Sequence, residues 1–170
     1  MMIKNSVEYK LIAKHYGDRV AKRSQVPLIN HINEGLIVLK ELGAVETTKK
    51  AFCLHPLFQA DEDIQENYYM ASFVEPQVLL LTLEYRNTAN AYLSDKIDTK
   101  QPLKLSPFVE VNEMLIADKV QNMKDFMTYH HGTHARSKEL TRYFDKWLTA
   151  LKIDPMTYRA LCKGIDDAKA

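Results

Sequence analysis

The chain has 170 residues, 23 of them basic and 22 acidic, so its net charge sits near zero. That balance argues against a dedicated nucleic-acid or membrane-surface binder, while leaving room for a local phosphate pocket. Five glycines and six prolines are too few for a turn-rich β-protein, and no apolar run approaches the ~18 residues of a membrane span.

The length fits one domain over residues 1–170, able to bury about two-thirds of the surface its unfolded form exposes. Met1-Met-Ile-Lys-Asn-Ser6 lacks the apolar core of a signal peptide, so a cytoplasmic protein is the default expectation. Cys53 and Cys162 stand far apart with no metal or redox spacing, and read as buried reduced thiols.

Val7, Leu11, Ile12 and His15 recur at helical spacing, with Asn5 and Glu8 placed as an N-cap and its partner three residues on. This helix should fade near Gly17. A basic loop follows, Arg19-Val-Ala-Lys-Arg-Ser-Gln25, which reads by itself as a solvated turn. A second helix is expected over 28–41, stopping at Gly43, with Ile32, Leu36, Leu39 and Leu42 as its core stripe and His31 beside it. The third, about 45–54, ends where Pro56 should push His55 out of the α conformation. Asp61, Glu62 and Asp63 then open a short fourth element, acids suited to a helix N-terminus.

Pro76 is placed as a first-turn proline, and the leucine-rich stretch 78–93 should be a central helix. Its polar residues Glu84, Arg86, Asn87, Asn90 and Tyr92 line a cavity or meet solvent, and periodicity does not choose. Residues 94–104 read as loop. Ser106-Pro107 has the form of a cap followed by a first helical proline, starting a helix that turns Val111, Leu115, Ile116, Val120 and Met123 inward. Asp118 falls among these apolar neighbours with Asn122 one turn on, and a carboxylate there needs a metal, a base or hydrogen-bond donors. Tyr129-His-His-Gly-Thr-His134 has no acid at ligand spacing and reads as a surface turn. An amphipathic helix over 137–151 and a last helix capped by Asp154-Pro155 complete an all-α reading, a single helical bundle.

Two histidines and an aspartate from three helices, His31, His55 and Asp118, suit a divalent transition metal, which accepts imidazole and carboxylate together. Their order and surroundings resemble the HD-domain metal-dependent phosphohydrolases, closest to the branch that hydrolyses guanosine alarmones. The resemblance rests on Val26-Pro-Leu-Ile-Asn-His31, on Ala51-Phe-Cys-Leu-His-Pro-Leu-Phe-Gln-Ala60 and on Met114-Leu-Ile-Ala-Asp-Lys-Val-Gln-Asn-Met123. It spans roughly residues 7 to 151 and is weakest between 61 and 105. It implies an HD-like bundle and a small phosphorylated ligand, a nucleotide, with no nucleic acid and no membrane as partner. Oligomeric state stays open.

The resemblance also implies metal ligands at His31, His55 and Asp118, phosphate- or base-binding residues at Lys22 and Arg23, and a nucleotide-pocket residue at Asn122. The family's aspartate after the second histidine falls on Pro56, and its water-handling Glu-Asp pair on Gln59 and Ala60. A Mn²⁺, Zn²⁺ or Fe²⁺ would therefore be held weakly or not at all, since Pro56 has no donor atom. Gln59 can hold a water but cannot act as a base. Three ligands plus water is an acceptable catalytic shell, and Asp61 or Glu62 is expected to assist the water if either swings in. Arg86 and Asn87 have no counterpart in the family motif and are candidates for a different ligand. Two readings follow: a divergent phosphohydrolase, or an inactive nucleotide-binding or interaction protein of the same fold.

Overall fold

A computed structural model describes residues 3–94 and 102–168. Eight α-helices account for most of them: α1 (Val7–Tyr16), α2 (Ile29–Glu41), α3 (Glu46–Leu54), α4 (Asp61–Asn67), α5 (Pro76–Asn90), α6 (Val109–Tyr129), α7 (Ser137–Ala150) and α8 (Pro155–Asp167). Short 3₁₀ turns occupy Ile3–Asn5, His55–Phe58 and Tyr68–Phe73. Among the described residues there is no strand, only an isolated antiparallel bridge from Val20 to Pro27 that closes the basic loop between α1 and α2. The fold is all-α, and none of these helices is long and apolar enough to cross a membrane.

The centre of the bundle is α6, which packs against α2, α3, α5, α7 and α8. Five consecutive residues of α6, Ala117 to Gln121, are all buried. Successive positions turn by about 100° around a helix axis, so such a run means that neighbours cover α6 on every side. The α5 helix is not the centre: Val78, Leu81 and Tyr85 face in, but Leu80 and Leu83 are 44% and 40% exposed. Its dense leucines cannot all face one direction.

Helix boundaries follow capping chemistry, with two corrections. The cap of α1 is Ser6, whose Oγ accepts from Tyr9 N at 3.2 Å; Asn5 belongs to the preceding 3₁₀ turn. The hydroxyl of Ser106 accepts from Phe108 N and donates to Glu84, so Ser106 and Pro107 form a turn and α6 begins only at Val109. Asp154 does cap α8, accepting from Met156 N and Thr157 N. Gly43, at φ 72°, ends α2 as a left-handed residue should. The loop expected over 94–104 lies partly outside the described residues.

His55 corrects a further expectation. It keeps helical angles, φ −54° and ψ −36°, although a proline follows. The chain tightens there from α3 into the 3₁₀ turn His55–Phe58, whose first residues need no N–H from Pro56. Cys53 is fully buried, whereas Cys162 is only half-buried.

Candidate metal centre

Three elements meet at one point. His31 stands in the first turn of α2, His55 ends α3 with 4% exposure, and Asp118 projects from the covered middle of α6 at 4%. His31 Nε2 lies 3.1 Å from His55 Nε2 and 3.5 Å from Asp118 Oδ1, and His55 Nε2 lies 3.9 Å from the same oxygen. Among the described residues this is the one cluster of His, Cys, Asp or Glu with metal-ligating geometry. Ligand atoms on a tetrahedral shell of about 2.0–2.1 Å radius stand about 3.3–3.4 Å apart, and the three separations bracket that value.

The other nitrogens decide what these atoms offer. His55 Nδ1 lies 2.7 Å from the carbonyl of Phe52, which can only accept, so Nδ1 carries the proton and Nε2 a lone pair. Burial, then the neighbouring His31, push His55 down to about 3 against the pull of Asp118, so the ring is neutral at pH 7. His31 Nδ1 lies 2.7 Å from Gln121 Oε1, which turns its Nε2 toward the cluster as well. Both Nε2 atoms and a carboxylate oxygen therefore converge on one point.

Asp118 is held at both of its oxygens. Lys119 Nζ sits 2.7 Å from Oδ2, and Asn122 donates to Oδ1 at 2.8 Å. Burial alone would raise its pKa, but Lys119 and then the two histidines outweigh it and hold the carboxyl well below the usual range. Lys119 is itself buried, 5.1 Å from the ring centre of Trp147 and 5.5 Å from that of Tyr143. Burial would lower its pKa, yet Asp118 raises it, so the ammonium stays charged.

Beside the trio opens a cavity of about 510 Å³. His31, His55 and Asp118 line it together with the expected Pro56, Gln59 and Asn122, and Tyr16, Val26 and Pro27 form an apolar wall. Comparison of the chain with family models, with curated proteins and with solved structures finds no match.

Several expected site residues lie elsewhere. Arg23 lines a neighbouring cavity of about 450 Å³ that shares Ala21, Ser24, Lys119, Asn122 and Asp125 with the first; Lys22 is exposed and lines neither. Arg86 and Asn87 line a separate groove with Leu80, Leu83 and Phe108, because one and two steps beyond cavity-lining Tyr85 the helix has rotated away. Asp61 and Glu62 are exposed in the first turn of α4, and Asp61 pairs outward with Arg86. Neither acid reaches the cavity. The histidine-rich segment after α6 lies apart from the trio, and His130 and His134 line the neighbouring cavity.

Reading the sequence missed Lys119, Tyr85, Gln121 and Asp125. The need of a buried Asp118 for a basic partner was the available signal for Lys119.

Proposed function

We propose that this chain is a divergent cytoplasmic phosphohydrolase of the HD type, acting on a nucleotide or other small phosphorylated compound, with a divalent metal held by His31, His55 and Asp118. The single observation that carries the reading is the convergence of His31 Nε2, His55 Nε2 and Asp118 Oδ1, 3.1 to 3.9 Å apart, at the edge of an open cavity. Burying such a set costs free energy unless a cation offsets it. A divalent metal bound there lowers the pKa of its water and polarises a phosphoryl oxygen.

The protein's own groups supply the rest. Phe52 O and Gln121 Oε1 orient the two imidazoles, Lys119 keeps Asp118 ionised, and Asn122 fixes it. Three protein ligands beside an open cavity is the pattern of catalytic rather than structural sites, and about 510 Å³ suits a small ligand. Asp125 is the remaining carboxylate on the wall, its pKa raised by burial and then by Glu34.

A second reading has specific support. Pro56 offers no ligand atom, Gln59 cannot accept a proton from water, and Asp61 and Glu62 face solvent. A proton on His31 Nε2, donated across 3.1 Å to His55, would close the cluster without metal in an inactive binder of phosphorylated ligands. The test is metal content after purification without chelator, followed by phosphate release from a nucleotide panel with added Mn²⁺. The hydrolase reading expects stoichiometric metal and turnover, both lost in His55→Ala. Metal-free protein that binds a nucleotide without releasing phosphate would establish the second reading instead.

A further inference from the structure

Each ligand of the trio is held from behind, but not in the same way. A backbone carbonyl holds His55, a buried ammonium and an asparagine hold Asp118, and for His31 the task falls to one side-chain amide, that of Gln121. An amide can present either its oxygen or its NH₂ group. If Gln121 turned its NH₂ toward Nδ1, His31 would have to move its proton to Nε2, and the lone pair facing His55 and Asp118 would be gone.

The surroundings of Gln121 remove that freedom. Its Nε2 lies 2.8 Å from Asp125 Oδ2 and 3.4 Å from Glu34 Oε2, and ionised carboxylates only accept. Reversing the amide would set its oxygen against both acids. Lys124 balances their charge, 3.2 Å from Glu34 and 3.7 Å from Asp125. Gln121 and Glu34 are 1% and 2% exposed, so water does not substitute for these bonds. The spacing is helical on both sides: His31 and Glu34 are three apart on α2, and Gln121, Lys124 and Asp125 share one face of α6.

We propose that Gln121 is a positioning residue for the metal: clamped by Glu34 and Asp125, it fixes His31 with the proton on Nδ1 and thereby selects Nε2 as the ligand atom. Metal-binding histidines are regularly oriented this way through their second nitrogen, and loss of such a partner typically weakens binding by about 10- to 100-fold. The inference rests on the metal reading above.

The test uses Gln121→Met, which keeps the side chain's length and adds no charge beside Glu34 and Asp125. Two readouts are needed: long-range ¹H–¹⁵N correlation spectra of the imidazoles in metal-free protein, and Zn²⁺ and Mn²⁺ affinities by calorimetry. In the wild type His31 is expected as the Nδ1–H form. In Gln121→Met that signature shifts toward Nε2–H and affinity falls by about 10- to 100-fold, while the His55 signature stays. Asp125→Ala, at a half-buried position, removes one of the two acceptors and should give a smaller loss in the same direction; it decides the matter if Gln121→Met does not fold. Wild-type protein that binds no metal overturns the reading of the whole site. Wild-type protein that binds metal, with tautomer and affinity unchanged in the variants, overturns the role of Gln121 alone.

Discussion

At position 56 a pyrrolidine ring lines the cavity directly after His55. A ring without donor atoms leaves the trio with one anionic ligand, Asp118, and ligand charge count is a main determinant of affinity for hard divalent cations. Pro56→Asp should therefore tighten Mn²⁺ binding on the order of tenfold, measured by calorimetry. An unchanged affinity would mean that residue 56 does not reach the metal. His31, His55 and Asp118 were legible in the sequence because their residue types are rare on buried faces and their order resembles a known pattern. Lys119 was not. It is adjacent to Asp118, and successive helix positions point about 100° apart, so only its long flexible stem lets Nζ return to the carboxylate. Gln121 was hidden for a related reason: its role depends on Glu34 and His31, 87 and 90 residues away in the chain.

Among the elements, α2 and α3 set the spacing of the two imidazoles. Gly35 on α2 permits this: a Cβ there would come within 2.2 Å of the ring of Phe52, which is fully buried and packs against both His31 and His55. Gly35→Ala should cost about 1–3 kcal/mol of stability by overpacking, read from denaturant unfolding, and should weaken metal binding because Phe52 carries His55 with it. A variant as stable as the wild type would show that the ring can yield. At the other end of the chain, hydrogen bonds from Thr157 and then Met156 hold the Asp154 carboxyl below the usual range. A depressed folded pKa adds stability above the unfolded value, about 3.9, and loses it as pH falls through the folded one. Asp154→Ala should accordingly lower Tm at neutral pH, by an amount that shrinks on acidification; a constant gap would contradict the cap.

Helix positions were readable from periodicity and from turn residues such as Gly43 and Asp154. The failures were local competitions. Ser106 spends its hydroxyl on Phe108 and Glu84 instead of starting a helix, and His55 stays helical because a 3₁₀ turn accommodates Pro56.

For the whole molecule, the covered middle of α6 is the organising feature. Burying Asp118, Lys119 and Gln121 there gives up hydration of two charges and an amide, and their mutual pairing, together with Asn122, Glu34 and Asp125, offsets the loss. This arrangement was half legible: a buried Asp118 demanded partners, but sequence could not say that α6 would be enclosed while the leucine-rich α5 would turn two leucines outward. The apolar wall of the cavity comes from the loop between α1 and α2, so ligand access depends on that segment and not on Arg86 or Asn87.

His31, His55 and Asp118 are proposed to take up a divalent cation. Metal-free protein titrated with Mn²⁺ or Zn²⁺ and followed by thermal unfolding tests it most directly. At a free metal concentration of 100 times Kd, linkage adds about 2.7 kcal/mol, which for a chain of this size raises Tm by about 5–11 °C. A saturable rise of that order with one equivalent bound, absent in His55→Ala, is the predicted result. No saturable rise, or an equal one in His55→Ala, would contradict the account.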